Sequence, residues 1–161
     1  ALMRLDQNRA MARVAEKLNV PVKTVEQVFV WGNHSNTMYP DLRFLRTGGR
    51  RVEESAFDQE WLEQFVPNVA TSAASAASAA IDHMRDWILG AEGKITTMAV
   101  PSDGSYGIPE GLMFGFPCMC PGEGQYQIIK DLPMTPEVKQ RLIVTRDELL
   151  AEVEAVKHLL P

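Results

Sequence analysis

Three side chains in the first part of the chain could share one piece of chemistry: Asp6, Arg9 and His34. A neutral histidine takes the proton of a secondary hydroxyl while a hydride leaves the same carbon. A carboxylate on its other ring nitrogen fixes the tautomer and favours the imidazolium that forms. An arginine presents a planar fork whose parallel N–H groups grip a carboxylate. Together the set suits oxidation of a 2-hydroxy acid, or reduction of a 2-keto acid. Alone, each is weak evidence: an Asp-x-x-Arg pair is usually a solvated ion pair on a helix, and a loop histidine is usually exposed polar surface.

The elements around them must bring them together. Leu2 to Leu18 is predicted to be helical, with Leu5, Val14 and Leu18 near one face and Asn19-Val20-Pro21 as its stop. A spacing of three places Asp6 and Arg9 on one side of that helix. Val25 to Trp31 reads as a strand rich in β-branched and aromatic residues, broken by the loop Gly32-Asn33-His34-Ser35-Asn36. His34 therefore sits at a strand end, where a side chain can reach a cleft.

The remaining elements follow from periodicity and turn chemistry. Leu42 to Glu54, around Arg46-Thr47-Gly48-Gly49-Arg50, predicts a hairpin arm, and Ala56 to Phe65 a short helix. Thr71 to Leu89, with its repeated Ser-Ala-Ala, predicts a buried packing helix, since alanine is the best helix former. Strands are expected over Lys94–Val100, Gly111–Cys118 and Gln125–Lys130, the last two joined by Pro121-Gly122-Glu123-Gly124. Pro136 to Leu160 predicts a helix capped by Thr135, with a possible break near residue 144 where Thr145-Arg146-Asp147-Glu148 offers a second capping box. The sum is an α+β fold of antiparallel strands packed by helices.

Composition narrows the function classes. With 161 residues, 45% hydrophobic and 23% charged, the chain suits one compact domain and not a disordered tail. The 16 basic and 21 acidic residues are mixed along it, for a net charge of −5, which argues against a nucleic-acid partner. Its apolar stretches are too short or too interrupted to cross a bilayer, and the start shows no signal-peptide pattern, so no membrane partner is expected. Cys118 and Cys120 would point the same way on a strand, but the neighbourhood lacks the further ligands zinc needs. Two reduced thiols and no metal are the expectation.

Motifs in order along the chain add a resemblance. Arg4-Leu5-Asp6-Gln7-Asn8-Arg9-Ala10 resembles the LDxNRA segment of malate dehydrogenases of the cytosolic type. Val30-Trp31-Gly32-Asn33-His34-Ser35, followed by Tyr39-Pro40-Asp41, is similar to that family's WGNHS and YPD segments. The likeness continues through Ser75-Ala76-Ala77, Asp82-His83-Met84-Arg85-Asp86, Ser102-Asp103-Gly104, Tyr106-Gly107-Ile108-Pro109 and Phe116-Pro117. It implies the C-terminal domain of the lactate/malate dehydrogenase fold. It implies His34 as proton acceptor, Asp6 as the group that orients it, and Arg9 as the residue that binds the substrate carboxylate. It further implies malate and oxaloacetate as substrates, NAD as cofactor, a cytoplasmic location and a homodimer. Thr71 and Ser72 would line the cleft, whereas Asp82, His83 and Arg85 would serve packing and salt bridges.

The chain departs from the family in two places that matter. It has no G-x-G-x-x-G, so the N-terminal Rossmann domain is expected to be absent, together with any cofactor-binding residues. Residues 1–161 would then be the substrate-binding domain alone. The family's Gln-x-Arg-Gly-Ala-Ala pattern is also missing, which points to a lost segment near 66–71. Two further functions stay open: a paralogous dehydrogenase for another 2-keto acid, for example an aromatic one, and a non-catalytic dimerisation module.

Overall fold

A computed structural model describes residues 1–65 and 73–159 of the chain. Helix α1 (Leu2–Leu18) has its predicted span and ends where Asn19 turns left-handed at φ 52°, returning its N–H to the last turn. The strand expected over Val25–Trp31 is instead two, β1 (Val25–Glu26) and β2 (Phe29–Trp31), because Gln27 between them adopts φ 58°. Strand β2 pairs antiparallel with β3 (Tyr39–Asp41), an element hidden in the sequence by its central proline. The hairpin arm exists but is small: β4 (Arg46–Thr47) and β5 (Arg50–Arg51) turn through Gly48 and Gly49, and β4 also pairs with β1.

Helix α2 (Gln59–Phe65) begins later than expected, after a short turn at 54–56, where Asp58 Oδ1 accepts from the Trp61 N–H at 2.8 Å. Helix α3 (Ala73–Leu89) ends as predicted. Its expected start at Thr71 and the suspected seam near 66–71 lie outside the described residues. The helix is two-faced and not wholly buried: Ala79 has no exposed surface, while Ile81 and Leu89 are 68% and 77% exposed.

Next comes an antiparallel meander of β6 (Ile95–Pro101), β7 (Met113–Gly122) and β8 (Gln125–Ile128). Glu123 (φ 55°) and Gly124 (φ 73°) form the turn between β7 and β8, with the left-handed pair that matches strand twist. The last helix, α4 (Pro136–Val156), is capped by the Thr135 hydroxyl on the Val138 N–H. It runs unbroken past residue 144, against the expectation of a break, and a tighter turn at Lys157–Leu159 continues it. No helix among the described residues is long and apolar enough to cross a membrane.

Two cores hold this α+β architecture together. One gathers Trp31, Phe114, Phe116, Val138 and Leu142 between the meander, β2 and α4. The other joins Ala10 and Val14 of α1 with Val25, Val28, Val30 and Leu45. Strand β2 serves both: Val30 faces one core and Trp31 the other, so its apolar residues run without alternation. Fully burying Val30 contributes about 2 kcal/mol. Cys118 and Cys120 lie buried on β7, where burial pushes the Cys118 thiol up to about 12.

Candidate active site

His34 stands just beyond β2, in a loop pinned on several sides. Gly32 and Gly115 of β7 exchange both backbone hydrogen bonds, Gly32 N–H donating at 3.1 Å and Gly115 N–H at 2.8 Å. The Asn33 N–H then donates to Thr145 Oγ1 of α4 at 2.9 Å. Gly32 is at φ 97°, and a Cβ built there would lie 2.2 Å from Thr145 Oγ1. Only glycine lets the loop approach the helix this closely.

Helix α1 is set in rotation by Gln7. Its Nε2 donates to the Val28 carbonyl at 2.9 Å, and its Oε1 accepts from the Thr97 N–H at 2.8 Å. The Thr97 hydroxyl accepts from the Val30 N–H at 3.0 Å, closing the link between α1, β2 and β6. A second tie runs to α3, where Arg4 meets Asp86 at 2.7 Å and Asn8 donates to Asp82 at 3.1 Å. Arg85 also reaches Asp86 and Asp82, so Asp82 and Arg85 form a salt bridge of the kind expected of them.

With Gln7 and Asn8 engaged on their own sides, Asp6 faces the loop. His34 Nδ1 lies 2.7 Å from Asp6 Oδ2. Asp6 is 2% exposed, and the imidazole 38%. Burial raises the Asp6 carboxyl above the usual carboxylate range; the hydrogen bond and charge of His34, and then the charge of Arg9, pull the other way. With Nδ1 engaged by the carboxylate, Nε2 is the nitrogen left for an incoming group.

Arg9 follows one helical turn later, and its Nη2 lies 3.3 Å from Ser75 Oγ of α3. Two polar atoms beside the pair, Asp6 Oδ1 and Arg9 Nε, are buried without a hydrogen-bond partner among the described residues. Such orphans are few in folded proteins; Arg13 Nε and Trp87 Nε1 are the others among the described residues. The three residues singled out by type are thus one cluster, while Thr71 and Ser72 lie outside the described residues. The contacts of Gln7, Thr145 and Gly115 were not anticipated. The cue for Gln7 was a polar residue on the apolar side of a helix. No group of three or more His, Cys, Asp or Glu among the described residues could hold a metal ion.

Known proteins give the cluster its context. Residues 3–160 match the family model described as lactate/malate dehydrogenase, alpha/beta C-terminal domain. A malate dehydrogenase from Naegleria fowleri is similar over 98% of this chain and 52% of its own, with 39% identity and a TM-score of 0.88. A lactate dehydrogenase from Trichomonas vaginalis, solved with NADH and oxamate, is similar over 96% of this chain and 53% of its own, with 33% identity and a TM-score of 0.83. A malate dehydrogenase from Salinibacter ruber shares the fold at a TM-score of 0.82 with 24% identity. The chain spans about half the length of these solved structures. The chain belongs to the lactate/malate dehydrogenase family, whose alpha/beta C-terminal domain it forms.

Proposed function

We propose that this chain is the substrate-binding half of an NAD-dependent malate dehydrogenase that interconverts malate and oxaloacetate. The observation that carries the proposal is the 2.7 Å contact between His34 and Asp6, with Arg9 one turn along the same helix. His34 Nε2 takes the proton of the substrate hydroxyl and returns it in the reverse direction. Buried Asp6 holds the tautomer and stabilises the imidazolium as it forms. The Arg9 guanidinium binds the carboxylate beside the reacting carbon, and its Nε, without a partner among the described residues, supplies one N–H for that purpose. When bound, the nicotinamide supplies the acceptor for the hydride. These residues fit the substrate side of that reaction; with no glycine-rich phosphate cradle in the sequence, the dinucleotide itself would be held by residues outside this chain. A cytoplasmic homodimer belongs to the same proposal.

A second reading has a specific observation behind it: 33% identity to the lactate dehydrogenase solved with oxamate. His34, Asp6 and Arg9 handle the shared 2-hydroxy acid core, so they serve lactate or an aromatic analogue equally well. The test is the full-length parent protein, assayed with NADH and NADPH on oxaloacetate, pyruvate and phenylpyruvate. A kcat/KM highest for oxaloacetate supports the proposal, and one highest for pyruvate or phenylpyruvate replaces it with the second reading. No turnover of any of the three, under conditions where the protein is folded, refutes both.

A further inference from the structure

The loop residues on either side of His34 hydrogen-bond to α4. Beyond the Asn33 N–H on Thr145, the Asn33 side-chain Nδ2 donates to Glu148 Oε2 at 3.2 Å and to Glu152 Oε1 at 3.0 Å. The hydroxyls of Ser35 and Thr37 donate to the same Glu148 oxygen. Thr37 Oγ1 also lies 3.0 Å from Thr145 Oγ1. Thr145, Glu148 and Glu152 are three and four residues apart, which is one face of a helix. A row of donors on the loop thus meets a row of acceptors on α4.

A carboxylate only accepts, so Glu148 Oε2 collects donors from both sides of His34 in the sequence. Hydrogen bonds to an ionised acceptor are about twice as strong as neutral ones. The bonds from Ser35, then Thr37 and Asn33, hold the Glu148 carboxyl below its ordinary range, so the ionised form persists further into acid.

From this geometry we infer that Glu148, seconded by Thr145, is a positioning residue for His34. Glu148 holds the side chains before and after the imidazole and Thr145 the Asn33 N–H, so that the ring meets Asp6 and presents Nε2 at one fixed place. The inference rests on the proposed function, in which His34 moves the proton. Without the anchor, the Gly32–Gly115 backbone pair before the loop and the bond to Asp6 would be left to order a histidine that is 38% exposed. Misplacing a catalytic group by about 1 Å costs roughly a hundredfold in rate.

The test uses the full-length parent protein with Glu148→Ala and Thr145→Ala, each paired with a conservative partner, Glu148→Gln and Thr145→Ser. The expected result is a kcat reduced by about tenfold to a hundredfold in the alanine variants, with KM within about twofold of wild type. Gln should recover part of the loss and Ser most of it. In parallel, the rate at which diethyl pyrocarbonate modifies His34, followed by peptide mass mapping, should change several-fold in Glu148→Ala. Wild-type kcat in both alanine variants, or a loss expressed only in KM, would overturn the inference. Should Glu148→Ala fail to fold, the Thr145 pair decides by the same criteria. A parent that turns over no 2-hydroxy acid would sink the proposed function, yet the labelling rate would still decide whether Glu148 sets the state of His34.

Discussion

Asp6 and His34 share a hydrogen bond but not an environment. The carboxylate is sealed at 2% exposure beneath an imidazole that is 38% exposed. Desolvation raises the Asp6 carboxyl in the fold, so the folded state holds its proton to higher pH than the unfolded chain does. The sign follows by linkage: stability falls as pH rises from the unfolded value through the raised folded one. Above that window the ionised Asp6 is a cost to the fold, which its role in the proposed function would offset. Asp6→Asn in the parent protein should therefore melt at the same or a higher temperature at neutral pH, by at most about 1 kcal/mol. Its kcat should fall by about a thousandfold or more, since an amide neither fixes the tautomer nor stabilises the imidazolium. Thermal melts at pH 4 and pH 7 alongside steady-state kinetics check both halves. A variant that loses stability and rate together would show that Asp6 is chiefly structural.

Among the elements, the approach of the Gly32 loop to α4 is the tightest fit in the site. A Cβ at Gly32 would enter the Thr145 side chain, and the φ of 97° would strain any other residue. Gly32→Ala should cost about 3 kcal/mol, partly by overpacking and partly by backbone strain. Differential scanning calorimetry should show a melting temperature lower by roughly 10 °C. An unchanged melting temperature would mean that the loop does not press on the helix as described. The same contact explains where the sequence was and was not legible. Helix α1 was readable because an apolar face, a stop at Asn19 and a polar pair at Asp6 and Arg9 are all local signals. The meeting of His34 with Asp6 was suggested by residue type and by resemblance, since no local rule joins side chains 28 residues apart. Thr145 and Glu148 misled for a physical reason. They form a sound capping box on paper, but both side chains are spent on the His34 loop, and α4 passes through without a break. Tertiary hydrogen bonds here override a local stop signal. Gln27 ended a strand early with no cue in its own type, as its left-handed turn serves the divergence of β1 from β2.

For the whole molecule, the site lies where the two cores meet. Strand β2 contributes Val30 to one and Trp31 to the other, and the loop that begins at Gly32 inherits rigidity from both. In the proposed function that arrangement orders a proton acceptor and a carboxylate grip within one chain, while the hydride goes to the nicotinamide. A sample containing only these 161 residues should therefore show no malate-dependent formation of NADH, even at high protein concentration. Turnover in a sample whose intact mass matches this chain alone, 17.9 kDa, would overturn the division of labour proposed above.

The clamp on His34 also fixes when the site can come into being. The histidine follows Asp6 by 28 residues, and the helix that holds the loop comes 112 residues after Asn33. Closing a contact of that span comes late in folding, because its chain entropy must be overcome before the bonds form. A ribosome-bound chain short of Thr145 carries Asp6, Arg9 and His34 without the α4 contacts that hold the loop. The His34 loop is therefore fully anchored only once α4 has been made, well after Asp6, Arg9 and His34 themselves.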